Sequence, residues 1–272
     1  ELELQLARAP SDDPEERLNA LRYFKQTQAL RVAAADVSGA MPLMIVSDHL
    51  TEIAETLLRR VLELAWADLL PKFGQPRCVV EGVERDAHFA IVAYGKLGGI
   101  ELNYGSDLDL VFLHDSAGDR QQTAGPRTTD NATFFARLVQ RIIYWLTTRT
   151  GAGDLYEVDT RLRPSGRAGL LVSSFAAFAD YQHHQAWTWE HQALTRTRVV
   201  AGPSALAERF QALRRAVLGR PRDPVLLRRE VREMRERMRT ELDTGTAELF
   251  DLKQGRGGIA DIEFMVQYQI LA

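Results

Sequence analysis

Two short apolar runs, HFAIVAY at 88–94 and DLDLVFLHD at 107–115, flank the glycine-rich segment GKLGGIELNYGS at 95–106. Runs of this length, partly β-branched, read as buried strands. On both sides lie longer stretches whose apolar residues recur at three- and four-residue steps, the spacing of amphipathic helices. A small sheet set between helical segments makes this an α+β chain. No internal repeat and no low-complexity tract appears.

The helical signals come with start and stop chemistry. Asp13-Pro14 predicts an N-cap and a first helical position, with a helix running to about Val37 and broken by Gly39 and Pro42. Ser47 is the expected cap of a second helix, ending near Pro71, with Leu50, Ile53, Leu57, Val61 and Leu64 as its buried stripe. The segment 118–130 reads as a polar loop, and Asp130 as the cap of a helix bearing Phe134, Leu138, Ile142, Trp145 and Leu146. Further strands are expected at 155–162 and 169–174. Beyond them come helices at 175–185, 204–218 and 224–241, a short strand at 248–253, and a helix from about Ile259. The expected organisation is an N-terminal helical segment (1–75), a core (76–174) and a helical region (175–272). A helix still apolar at Leu271 suggests a piece of a longer chain.

Composition narrows the function classes. The 272 residues carry 34 basic and 37 acidic groups, a net charge of −3. That disfavours a nucleic-acid wrapper, since no aromatic-interleaved basic stripe accompanies it. The small total hides a local excess: residues 187–239 hold 13 basic and 6 acidic groups. Such a block is either a solvated helix face or a surface for phosphates or an acidic partner. The single cysteine, Cys78, excludes a disulfide framework and a thiolate-rich metal site. No apolar run of about 18 residues is present, so no membrane helix is expected, and the cytoplasm is the default compartment.

The chemistry concentrates in the middle. Strand alternation places Asp107 and Asp109 on one face, with Leu108 and Leu110 on the other. Two adjacent carboxylates repel unless a cation lies between them, and Mg²⁺ with oxygen ligands is the simplest remedy. Asp159, in YEVDTRLRP, supplies a third carboxylate, with Arg161 on the same face and Arg163 beyond. A glycine-serine turn ahead of acid-x-acid is a pattern for metal-assisted phosphoryl or nucleotidyl transfer. Other phosphate and catalytic motifs are missing: no Walker spacing, no G-x-G-x-x-G, no placeable Ser/His/Asp triad. His183, His184 and His191 lack metal-ligand spacing and read as packing or surface residues. Trp187, Trp189, Glu190, Arg196 and Arg198, like Gly257, Gly258, Asp261 and Glu263, have no role that spacing assigns.

YGKLGGIELNYGSDLDLVFLHD, YEVDTRLRPSGRAGLLV, AWTWEHQALTRTRVV and GGIADIEFMVQY, in this order, resemble the glutamine synthetase adenylyltransferase family, from about Pro14 to Ala272. The resemblance implies a polymerase-β-like nucleotidyltransferase fold with a small mixed sheet. It also implies transfer of AMP from ATP to a tyrosine of glutamine synthetase, with two Mg²⁺ held by Asp107, Asp109 and Asp159. Lys96, Gly98, Gly99, Gly105, Ser106, Arg161 and Arg163 are the implied nucleotide and phosphate contacts. The family enzyme is bifunctional, and Tyr104-Gly105-Ser106 with Ser165 look more like its adenylyl-adding half. Its adenylyl-removing half, or a non-catalytic docking module, are the alternatives. A PII signalling protein and glutamine are the regulators the family implies, with no nucleic acid and no membrane.

Overall fold

A computed structural model describes residues 1–10, 13–246 and 248–272. The chain divides into two compact units, Glu1–Phe178 with Arg196–Phe210, and Ala179–Thr195 with Gln211–Ala272.

In the first unit, helix α1 (Leu2–Leu6) buries Leu2 and Leu6. Helix α2 (Pro14–Val37) starts at the Asp13 carboxylate, which accepts the amides of Glu15 and Glu16 at 3.0 and 3.1 Å. Helix α3 (Leu43–Phe73) differs from expectation at both ends. It begins behind Pro42 rather than at Ser47, because its buried stripe already starts at Val46. It also passes through Pro71, in the last turn, where few backbone bonds remain to be lost.

Two sheets follow. Strands β1 (Pro76–Val80) and β2 (Val83–Asp86) form a hairpin through Glu81 and Gly82, both at positive φ. The larger sheet is built around β3 (Phe89–Ala93). Helix α4 (Gly95–Gly98) leads from β3 into the segment before β4 (Leu108–His114). The expected loop at 118–130 contains β5 (Asp119–Thr123), which pairs with β1 to give the order β2-β1-β5. Its residues are exposed except Thr123, so no apolar alternation betrays it. Helix α5 (Asn131–Thr147) is capped by Asp130, which accepts the Thr133 amide at 2.7 Å.

The expected strand at 155–162 shrinks to β6 (Val158–Asp159), and that at 169–174 to β7 (Val172–Ser174). Arg163 explains the gap. Its guanidinium donates to the carbonyls of Thr160, Arg167 and Gly169, holding the intervening chain as a compact loop. Helices α6 (Phe175–His184) and α7 (Thr188–Leu194) precede a strand where only helix was expected, β8 (Arg198–Ala201). The larger sheet is mixed, in the order β6-β4-β3-β8, with β7 also on β4. β3 runs antiparallel to β4 and β8, whereas β6 and β7 run parallel to β4.

One apolar cluster runs from Leu2 to Ala201 and unites the α3 stripe, the apolar face of α5 and one face of the sheet. Phe89, Ile91, Leu108, Leu110 and Phe112 supply the sheet face. Each fully buried side chain of this kind contributes about 1.5–3 kcal/mol. Free Cys78 is buried in the same cluster. Because β3 and β4 are buried along nearly their whole length, the partly exposed Asp109 stands out against them.

Helix α8 (Ser204–Leu218) runs across the division between units. In the second unit, α9 (Pro224–Leu242) starts at Asp223, which accepts the amides of Val225 and Leu226. Leu227 and Val231 of α9 pack on Leu271 of α10 (Ile259–Leu271). The expected strand at 248–253 is absent. Asp251 instead accepts the amides of Thr244, Lys253 and Gln254, closing a turn that leaves Leu249, Phe250 and Leu252 exposed. No helix among the described residues is long and apolar enough to cross a membrane.

Candidate functional site

The site grows from the register of β4. Pairing β6 parallel to β4 sets Leu108 opposite Val158 and Asp109 opposite Asp159. Side-chain alternation then returns Asp107 to the face of Asp109. The three carboxylates each offer an oxygen within 4.8 Å of the others, and among the described residues no other such cluster of three occurs. Three anionic oxygen donors this close could hold a hard cation.

The electrostatics agree. Burial, then the neighbouring Asp107 and Asp159, push the Asp109 carboxyl up to about 6, against the pull of Arg161 and Arg196. Asp159 moves the other way: the Arg161 side chain holds it below the usual carboxylate range. The Arg161 backbone amide reaches Asp159 Oδ1 at 2.8 Å, and its Nε reaches Oδ2 at 2.6 Å. Arg161 thus offsets part of the negative charge of the cluster. Asp107, Asp159, Arg161, Arg163 and Arg167 line an open cleft of about 550 Å³.

The glycine-rich segment meets these carboxylates at Gly95, the first residue of α4. Its φ is +56°, and a Cβ there would collide with Asp109 Oδ2. Lys96 is exposed on α4 and pairs with none of the described residues. A Cβ on Gly98 would strike the carbonyls of Arg196 and Ala93, and one on Gly99 would crowd the Glu101 carboxylate. Gly105 faces open space. Ser106 is nearly buried, and its Oγ accepts the Asn103 amide at 3.1 Å while donating to Asn103 Oδ1 at 3.0 Å. It therefore closes the turn that leads into Asp107.

The structure gathers Asp107, Asp109, Asp159 and Arg161 into one cluster and sets Gly95 against it. Arg163 lines the same cleft, yet its donors are already turned to Thr160, Arg167 and Gly169. Sequence reasoning missed three contributors. Gly95 was hidden inside a segment where every glycine looked alike. Arg198 donates to the Leu97 carbonyl, and Arg196 pairs with Glu101. Their signal was the alternation Thr195-Arg196-Thr197-Arg198 ahead of Val199-Val200, which is strand-like.

The remaining motifs make contacts of their own. His191 is buried, with its Nε2 against the Gln182 carbonyl, and burial pushes it down to about 4. His183 and His184 are exposed. Glu190 closes the start of α7, accepting the Trp187 amide and the Tyr181 hydroxyl. Asp261 accepts the Gly257 amide and the guanidinium groups of Arg235 and Arg239. A second cleft of about 900 Å³ in this unit is lined by Trp187, Arg220, Arg222, Glu230 and Arg237 among others.

A small mixed sheet flanked by helices, with acid-x-acid at the start of a central strand, is the fold of the polymerase-β-like nucleotidyltransferases. Comparison with known proteins narrows that class. The family model for glutamate-ammonia ligase adenylyltransferase matches residues 1–213, and the chain belongs to this family. Three relatives carry the name bifunctional glutamine synthetase adenylyltransferase/adenylyl-removing enzyme. The protein from Thioalkalivibrio sulfidiphilus is 59% identical over 272 residues, covering 100% of this chain and 28% of the relative. Those from Hahella chejuensis and Nitrosococcus oceani are each 54% identical, over 276 and 272 residues, again with 100% and 28% covered. The chain thus spans little more than a quarter of these relatives' length.

Proposed function

We propose that this chain transfers AMP from ATP to a tyrosine hydroxyl of glutamine synthetase and releases pyrophosphate. The carboxylate cluster carries the reading: Asp109 of β4, Asp107 just ahead of it and Asp159 of the paired β6 converge beside a glycine turn. The relatives' names supply the substrate protein. In the reaction a phenolic O–H is exchanged for an O–P bond to the α-phosphorus. The α–β anhydride bond breaks, and pyrophosphate and a proton leave.

The donor set fits Mg²⁺, since it is all carboxylate oxygen, and the burial and neighbouring carboxylates that raise Asp109 disfavour a charge that a cation would offset. Two Mg²⁺ ions held by Asp107, Asp109 and Asp159 would supply Lewis-acid stabilisation of charge at the α-phosphate. The chain's own groups bind and orient. Gly95 lets the turn lie against Asp109, Gly98 lets it lie against the carbonyls of Arg196 and Ala93, and Gly105 leaves room beside the Ser106 turn. Lys96 and Arg161 are the free or releasable cations for the leaving phosphates. Arg161 would reach them on releasing its contact with Asp159. Arg163 would reach them only by surrendering its loop contacts, so it acts first as the brace of residues 160–169.

The relatives' names join addition and removal of the adenylyl group, so phosphorolytic removal at the same site is the second reading. By the family resemblance the whole protein would work in the cytoplasm under control of glutamine and a PII signalling protein. The test offers the protein α-labelled ATP with unmodified glutamine synthetase, and in parallel phosphate with adenylylated glutamine synthetase. Label transfer that is lost in Asp107→Asn/Asp109→Asn supports addition. Release of ADP in the second reaction alone identifies removal, and inactivity in both without Mg·ATP binding leaves a docking module.

A further inference from the structure

The segment Thr195–Val200 was left without a role by its spacing, and the structure gives it one. Arg198 of β8 lies opposite Ala93, the last residue of β3, in the sheet register. From there its Nη2 donates to the carbonyl of Leu97 at 3.0 Å. Its Nη1 pairs with the carboxylate of Glu55 on α3, and the two side chains are only 22% and 19% exposed. Leu97 belongs to a four-residue helix, and its carbonyl also accepts the Ile100 amide, at a longer 3.4 Å. The guanidinium is the nearer of these two donors. One residue on, the Cα of Gly98 lies flat against the carbonyls of Arg196 and Ala93, with no room for a methyl. At the other end of the turn, Gly95 abuts the Asp109 carboxylate. The turn is therefore fixed at two points, by β8 on one side and by the carboxylate cluster on the other.

We infer that Arg198, anchored by Glu55, is a positioning residue that sets the glycine turn Gly95–Gly99 against the carboxylate cluster. The inference rests on the AMP-transfer reading, and Arg198 acts through the turn. A guanidinium suits the task because its planar fork serves a carboxylate and a carbonyl together. Loosening the turn misplaces the nucleotide rather than the protein substrate. The loss should therefore fall on kcat/KM for Mg·ATP, by about 10- to 100-fold, and leave the KM for glutamine synthetase unchanged.

The full-length protein would carry Arg198→Lys, Glu55→Gln, or the exchange Glu55→Arg with Arg198→Glu. The exchange restores an ion pair, but a carboxylate cannot donate to the Leu97 carbonyl. Glu55 also pairs with Arg59, so the exchange should melt somewhat below wild type, lose kcat/KM for ATP, and show faster amide exchange at Leu97–Gly99. Lysine keeps the charge but gathers its N–H donors on one nitrogen without the planar fork, and should lose less than the exchange, while Glu55→Gln should stay within a few-fold of wild type. Recovery of both stability and ATP kinetics in the exchange variant would overturn the inference, by showing that only the ion pair matters. If that variant fails to fold, wild-type ATP kinetics in Arg198→Lys with unaltered amide exchange overturn it instead. A wild-type protein that moves no label refutes the AMP-transfer reading itself. Equal labelling by wild type and Arg198 variants refutes only the positioning role.

Discussion

Asp109→Asn should stabilise the metal-free protein. Asp109 is pushed from 3.8 up to about 6, first by burial and then by Asp107 and Asp159. A rise of about two units corresponds to about 3 kcal/mol of unfavourable charge in the folded state. Asparagine removes the charge but not the burial of a polar group, so a gain of about 1–3 kcal/mol is expected. At roughly 2–4 °C per kcal/mol for a chain of this size, the melting temperature should rise by several degrees. The sign follows from linkage. The folded protein holds this proton more tightly than the unfolded chain, so wild-type stability is fullest below about pH 4. It falls as pH rises through about 6. The gain from asparagine should therefore be full at pH 7.5 and vanish toward pH 4. The assay is thermal melting in a chelator across that range, repeated with Mg²⁺, which should raise the wild type more than the variant. A variant that melts below wild type at pH 7.5 in chelator, or a gap independent of pH, would refute the reasoning.

Other substitutions test neighbouring parts of the account. Gly98→Ala forces a methyl into the carbonyls of Arg196 and Ala93. Chemical denaturation should show a loss of about 1–3 kcal/mol. Gly105→Ala meets open space and should leave stability unchanged, so any loss of Mg·ATP affinity by titration calorimetry reports approach of the nucleotide. Asp261→Ala strips the carboxylate from buried Arg235, which is 6% exposed. Breaking a buried pair on one side costs about 3–5 kcal/mol, measurable by urea unfolding. Asp251, lowered to about 2 first by the Gln254 amide and then by Thr244, contributes stability that is present above about pH 4. That contribution is lost as pH falls through about 2, so Asp251→Asn should flatten the acid limb of the unfolding curve.

The long helices were legible because their caps and stripes are local. Asp13 and Asp130 each accept amides at the helix starts their spacing promised. The two central strands were legible because each is apolar along most of its length. β5 was not, because an exposed edge strand of Asp-Arg-Gln-Gln-Thr is held by pairing with β1, a contact no local pattern records. β8 was hidden for a related reason: its alternation is only a few residues long between helices, and its pairing partner lies more than a hundred residues away. ELFDLK erred in the opposite direction, since its alternation reflects a turn closed by Asp251 and not a sheet. At the candidate site, acid-x-acid alternation and the third aspartate could be read from spacing alone. The contacts of Gly95, Glu55 and Arg198 depend on how α3, α4 and β8 meet, which only the folded chain shows.

The central claim is that Asp107, Asp109 and Asp159 hold the metal of a nucleotidyl-transfer site. The most direct measurement is a crystal structure with Mn²⁺ and a non-hydrolysable ATP analogue, using the anomalous signal of manganese to locate the ions. The account predicts manganese between these three carboxylates, with the triphosphate over the Gly95–Ser106 segment and Arg161 swung off Asp159. Manganese and nucleotide bound elsewhere, with the Arg161–Asp159 pair intact, would contradict it.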